Sequence, residues 1–151
     1  PKEVYEKPEN VFVGGFIGSP AMNFFNGKLE DGKFVAGKTS IAVPEGKMKV
    51  LREQGYVGKE IILGVRPEDI HDEPVFIEAS AGTKITTNVD VAELTGAELM
   101  VYSSIDGQDF VARLDSRADI HPGDTLDLAF DLNKGHFFDI ETESRIRVAN
   151  E

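Results

Sequence analysis

The feature that most constrains this chain is the rhythm of its second half. Short runs alternate apolar and polar residues and are stopped every few positions by a turn dipeptide. TLDLAFDL sets Leu126, Leu128, Phe130 and Leu132 against Thr125, Asp127, Ala129 and Asp131. A period of two places each set on its own face of a strand, so the run predicts a half-buried strand with acid toward solvent. KITTNVDVAEL repeats the device, with Ile85, Thr87, Val89 and Val91 opposing Thr86, Asn88 and Asp90. ELMVYSSI and DFVARL flank Asp106-Gly107, a dipeptide suited to the tight turn of a hairpin. HFFDIETESRI closes the series. Many short strands with turn signals at close intervals predict a β-barrel or sandwich.

The first half carries the same signals less regularly. Asn26-Gly27 and Asp31-Gly32 read as hairpin dipeptides around LE and before KFVAG. SIAVP is a short strand closed by Pro44, and KEIILGVRPEDI is an apolar strand that stops at Arg66-Pro67. VFIEAS reads as a further short strand. EGKMKVLREQG predicts one short helix, with Met48, Leu51 and Val50 inward and Gly55 beyond its end.

Residues 1–22 differ from the rest of the chain. Pro1 and Pro8 each precede a Glu, the arrangement favoured in the first turn of a helix. The pairs Phe12/Phe16 and Val13/Ile17 share a stripe at helical spacing. Gly18-Ser19-Pro20 ends that helix, because Pro disfavours helical geometry in the residue before it. The expected organisation is a connector over 1–22, with a turn or hinge at Gly18, Ser19, Pro20, Met22 and Asn23, leading into a β-domain over 23–151.

Charge and composition exclude several functions. With 16 basic and 27 acidic residues the net charge is -11. Nucleic-acid binding draws most of its non-specific affinity from Lys and Arg on phosphates, so neither nucleic acid nor an anionic lipid surface is an expected partner. No apolar run reaches the ~20 residues of a membrane helix, and no signal peptide is read at the start, so a soluble chain is expected. There is no cysteine, hence no disulfide, thiolate metal site or thiol nucleophile.

Residues with catalytic chemistry are scattered. His71, His121 and His136 stand apart, without the spacing that places two imidazoles on one metal. His71 precedes Asp72 and Glu73 in a segment that reads more simply as a solvated acidic turn. Glu68 and Asp69 are adjacent carboxylates, a pairing that 27 acids make commonplace. GGFIGS lacks the Lys that a phosphate loop uses to reach the β- and γ-phosphates. No catalytic, cofactor-binding or metal-ligating residue is assigned, and the sequence reads as a binding or positioning module rather than an enzyme.

The segment PKEVYEKPENVFVGGFIGSPAMNFF resembles the junction that follows the nucleotide-binding domain in ATPase subunits of bacterial sugar importers of the ABC class. Pro1, Glu3, Val4, Tyr5, Pro8, Asn10, Phe12, Val13, Phe16 to Pro20, Met22 and Asn23 carry that match. LGVRPEDI is similar to the G-[IV]-R-P-E segment of the family's C-terminal domain. VDVAELTGAELMVY resembles its V-x-x-x-E-x-x-G-x-E-x-x-V-Y stretch through Val89, Glu93, Gly96, Glu98, Val101 and Tyr102. The segment from Phe110 to Arg113 and the closing residues Phe138, Asp139, Thr142, Arg145 and Ile146 complete it.

The resemblance covers essentially all 151 residues and is to the maltose and multiple-sugar type, in its C-terminal regulatory part. It implies an OB-fold-like, MOP-related (TOBE-type) barrel of short antiparallel strands, and a non-catalytic regulatory and dimerisation role. ATP and magnesium are implied only for the full-length parent, since the Walker A loop, ABC signature and Walker B acid would lie before Pro1. The implied partners are a second ATPase subunit, the missing ATPase domain, membrane permease subunits and a regulatory protein. The implied location is cytoplasmic, at the inner face of the membrane through the transporter subunits. Gly64, Arg66, Pro67, Glu68, Glu93 and Gly96 are the residues placed at an interface or regulator surface. The competing reading is a small oxyanion-binding module, because MOP-related barrels elsewhere bind molybdate.

Overall fold

The structure, a computed structural model, describes residues 21–147. The predicted connector helix and Gly18, Ser19 and Pro20 lie outside the described residues. The described chain is mostly β, as its alternating runs require.

One six-stranded antiparallel sheet holds β1 (Asn23–Glu30), β2 (Lys33–Ala36), β3 (Thr39–Ala42), β4 (Glu60–Val65), β11 (His136–Asp139) and β12 (Arg145–Ile146). Its spatial order is β12-β11-β4-β1-β2-β3. A second sheet places β10 (Thr125–Phe130) between β5 (Ile70–His71) and β6 (Lys84–Asn88). A third runs β7 (Val91–Thr95), β8 (Glu98–Ile105), β9 (Gln108–Asp115). Two short helices, α1 (Glu45–Glu53) and α2 (Pro74–Ala79), and brief 3-10 turns fill the connections.

Local chemistry explains most of these boundaries. Asp106 and Gly107 both take positive φ, 51° and 72°, as a two-residue hairpin between β8 and β9 demands. Gly32, at φ 95°, turns β1 into β2. Helix α1 buries Met48 and Leu51 completely while Val50 is half-buried. Its end is closed by Gly55, at φ 81°, whose N–H donates to the carbonyl of Arg52.

Three expectations are corrected. Asn26-Gly27 is no turn but the middle of β1, because Gly27 leaves room for a neighbour. A Cβ there would lie 2.5 Å from the Phe34 ring and 2.6 Å from the Val35 carbonyl oxygen. VFIEAS forms α2, so the barrel carries two α-helices rather than one; Pro74 occupies its first turn, where a fixed φ favours helix. A short apolar run does not distinguish helix from strand by periodicity. Finally, KITTNVDVAEL is two strands, because the chain changes partners in its middle. Val89 donates to Asp124 and accepts from Gly123, on the β10 side, whereas Asp90 donates to Tyr102 in β8. The alternation therefore holds for Ile85, Thr87 and Val89, which are buried, and fails at Val91, which is 48% exposed.

The three sheets share one core. Phe25 from β1, Phe110 from β9 and Phe130 from β10 meet with ring centroids 5.7 to 6.2 Å apart, one ring from each sheet. All three are at most 3% exposed. Full burial of one such side chain stabilises by roughly 1.5–3 kcal/mol, so this triad is a main bond between the layers. Thr87 and Ser103 join the second sheet to the third: their hydroxyls meet, with the Ser104 and Asn88 carbonyls as further acceptors within reach of the two hydroxyl protons.

Candidate functional site

Between the start of β1 and the outer face of the third sheet lies an open groove of about 630 Å³. Antiparallel register builds its floor. Val91, Tyr102 and Val111 are directly paired across β7, β8 and β9, so their side chains share one face. Met22 and Phe24 wall it on the β1 side. Three exposed carboxylates, Asp90, Glu93 and Asp109, stand at its rim, and among the described residues no Lys or Arg lines it. Among the described residues no ion pair reaches any of the three. Tyr102 remains 36% exposed and Val91 48%.

The wall is held by two side-chain amides acting as strand backbone. Asn23 donates through Nδ2 to the Val111 carbonyl at 2.9 Å and accepts through Oδ1 from the Val111 N–H at 2.9 Å. Three residues further along each strand the roles reverse. Gln108 accepts from the Asn26 N–H at 2.6 Å and donates to the Asn26 carbonyl at 2.8 Å. The pair of clamps joins the first sheet to β9 where no backbone ladder forms. Met22 is 4% exposed and packs with Ile62 and Phe138; Asn23 is 5% exposed. Both residues are therefore built into the barrel wall. Gln108 was not legible as a site residue, since a lone Gln after a hairpin dipeptide looks like solvent-facing polarity.

The remaining residues assigned from sequence fall into two groups. Gly64 and Pro67 are buried. Gly64 admits the Met22 thioether, which would lie 2.5 Å from an added Cβ. Arg66 and Glu68 are half-buried at the turn after β4. Arg113 stands 3.6 Å from Glu68 and 3.6 Å from Glu98, tying that turn to the third sheet. Next to Glu68, burial pushes the Asp69 carboxyl upward, helped by Glu68 and opposed by Lys134 and Arg66. Glu93 and Gly96 are exposed, Glu93 on the groove rim and Gly96 at φ 61° in the turn from β7 to β8. Glu93 and Arg113 flank Met100 in one cross-strand row. The outer face of the third sheet thus gathers Glu68 and Glu93, while Gly64 and Pro67 serve packing.

A second cleft, of about 350 Å³, is rich in hydroxyls from Thr39, Thr86, Thr87 and Ser104. Asp90 and Asp106 also line it, and among the described residues no cation does. The histidines form no metal centre: among the described residues no group of three or more metal-ligating side chains occurs. His71 lies 3.2 Å from Glu73 with its ring against Phe76, His121 contacts Asp119 at 2.6 Å, and His136 is buried.

The sequence profile of the TOBE domain matches residues 63–138, just over half of the chain. The chain belongs to the TOBE-domain family. A second profile, the MalK OB fold domain, matches residues 18–70. The two overlap at LGVRPEDI, which in the fold is the end of β4, its following turn and the start of β5. Among curated relatives, this TOBE-family chain is 65% identical to the oligosaccharides import ATP-binding protein MsmX of Bacillus subtilis, over 97% of its own length and 40% of MsmX. It is 45% identical to the multiple sugar-binding transport ATP-binding protein MsmK of Streptococcus mutans, over 97% of the chain and 39% of MsmK. It is 38% identical to the trehalose/maltose import ATP-binding protein MalK of Thermococcus litoralis, over 97% of the chain and 40% of that protein. The chain thus spans about 40% of the length of these relatives, matching their non-catalytic C-terminal part. No ATPase domain is covered. Among solved structures, the cytoplasmic molybdate-binding protein ModG superposes with a TM-score of 0.59 at 17% identity, over 76% of this chain and 94% of ModG. That likeness shows the fold. No helix among the described residues is long and apolar enough to cross a membrane.

Proposed function

We propose that this chain is the regulatory and dimerisation part of the ATP-binding subunit of a carbohydrate ABC importer. The observation that carries the reading is similarity over 97% of this chain to several sugar-import ATP-binding proteins, at up to 65% identity. In this reading the barrel is a rigid scaffold that helps two ATPase subunits stay paired while they open and close, and it offers a surface to a regulatory protein. Permease subunits are its indirect partners, and it lies in the cytoplasm at the inner face of the membrane. ATP and magnesium belong to the rest of the subunit. The three-sheet core and the amide clamps at Asn23 and Gln108 support a scaffold, because they fix the sheets of the barrel to one another. In this reading a partner contacts Arg66, Glu68, Glu93 and Gly96, on the outer face of the third sheet and the turns beside it.

Grafting this chain onto MsmX in place of the matched part tests the proposal. The chimera is expected to support oligosaccharide import. A chimera that folds and hydrolyses ATP, yet does not support import, overturns it.

The second reading, an oxyanion module, is favoured by the likeness to ModG. The hydroxyl-rich cleft argues against it, since Asp90 and Asp106 would face the anion with no cation among the described lining residues to offset them. A saturable rise in Tm with molybdate, tungstate or sulfate would restore the oxyanion reading; none is expected.

A further inference from the structure

The groove beside β1 has a chemistry that names its occupant. Its floor, Val91 and Tyr102, is apolar and open, and Phe24 stands at its side. Its rim carries Asp90, Glu93 and Asp109, with no cation to balance them among the described residues. Strand β7 is an edge of its sheet and pairs only with β8 among the described residues. It also exposes Leu94, at 64%, on the opposite face. An apolar floor with an unneutralised acidic rim is mismatched to most of this chain's own surface, whose net charge is -11.

We infer that the groove receives a short cationic, amphipathic segment of a partner protein. The apolar side chains of that segment cover Val91 and Tyr102, and its Lys or Arg residues meet Asp90, Glu93 and Asp109. The segment is polypeptide rather than nucleic acid or lipid headgroup, because an acidic rim repels phosphate. Burial of the floor supplies affinity, and the carboxylates set orientation and speed of encounter. The inference rests on the reading of this barrel as a docking module, but not on its pairing with a second copy.

The test titrates the whole chain against a fluorescent peptide that alternates Lys with Val and Phe. The probe's Lys-to-Glu counterpart serves as the control. Saturable binding of the Lys probe alone is expected. Asp90→Asn, Glu93→Gln and Asp109→Asn combined should weaken it roughly tenfold or more, the scale of several exposed ion pairs acting together. Val91→Ser should weaken it further. Neutralising Glu30, Glu53 and Glu141, remote from the groove, should leave it unchanged. Equal weakening by the remote set would show a non-specific charge effect and overturn the inference. Failure to bind, followed by binding once residues 1–20 are removed, would assign the groove to the chain's own leading segment and overturn it too. Self-association abolished by Val91→Ser would assign the groove to a second copy, with the same consequence. Failure of the peptide to bind in a chain that still pairs leaves the scaffold reading standing and removes this one.

Discussion

Asn23→Ala is the sharpest test of how the barrel is closed. The Asn23 side chain is 5% exposed and makes two hydrogen bonds of 2.9 Å to the backbone of Val111, which is itself 2% exposed. Truncation strands a buried N–H and a buried carbonyl, and each unsatisfied group costs about 1–3 kcal/mol. The groove alongside admits water to part of the gap, so the expected loss is about 2–3 kcal/mol. Stabilities of about 5–15 kcal/mol leave such a variant folded and measurable. Gln108→Ala removes an equivalent pair of bonds at an exposed position, where water replaces them, and should cost no more than about 1 kcal/mol. Urea unfolding of the two variants beside the parent gives both numbers, with the slope against denaturant checking that the transition keeps its cooperativity. A loss below about 1 kcal/mol for Asn23→Ala, or equal losses at both positions, would refute the claim that the buried clamp closes the seam.

Two further perturbations probe local packing and ionisation. Gly27→Ala should destabilise by about 1–3 kcal/mol in thermal or urea unfolding, since the new Cβ meets the Phe34 ring and a backbone oxygen that has little freedom to move. Tyr56 donates to Asp139 at 2.6 Å, which pushes the phenol up to about 12 and, with the N–H groups of Thr142 and Glu141, holds the carboxyl below its usual range. The raised phenol contributes stability that is complete below its ordinary value of 10.0 and lost as pH rises through about 12. The lowered carboxyl contributes stability that is present above the ordinary carboxylate range and lost as pH falls through its own depressed value. Tyr56→Phe should therefore flatten both limbs of the stability profile. Ultraviolet titration should show one of the three tyrosines ionising late in the parent, and that late component should vanish in the variant.

Much of the fold was legible because strand alternation and turn dipeptides are local. The hairpin at Asp106-Gly107 and the burial of Leu128, Phe130 and Leu132 followed from spacing alone. What escaped was decided by distant partners. Gly27 sits in a strand because Phe34 crosses over it, and no neighbour in sequence reports that. The break at Val89 and Asp90 arises from a change of partner strand, from the β10 side to β8, inside an unbroken alternating run. Ala129 alternates onto the nominally polar side of its strand yet is fully buried, because β10 is covered on both faces there. The candidate site was legible only in part. Met22, Asn23 and Glu93 stood out through resemblance, but the groove that joins them depends on register between β7, β8 and β9. Gln108 became visible only through its bonds to Asn26.

The central claim is the proposed role of this barrel in pairing two subunits, and solution mass tests it most directly. Light scattering of the chain from low to high micromolar concentration should give twice the 16.5 kDa of one copy. A mass of one copy across the whole range would contradict the scaffold role.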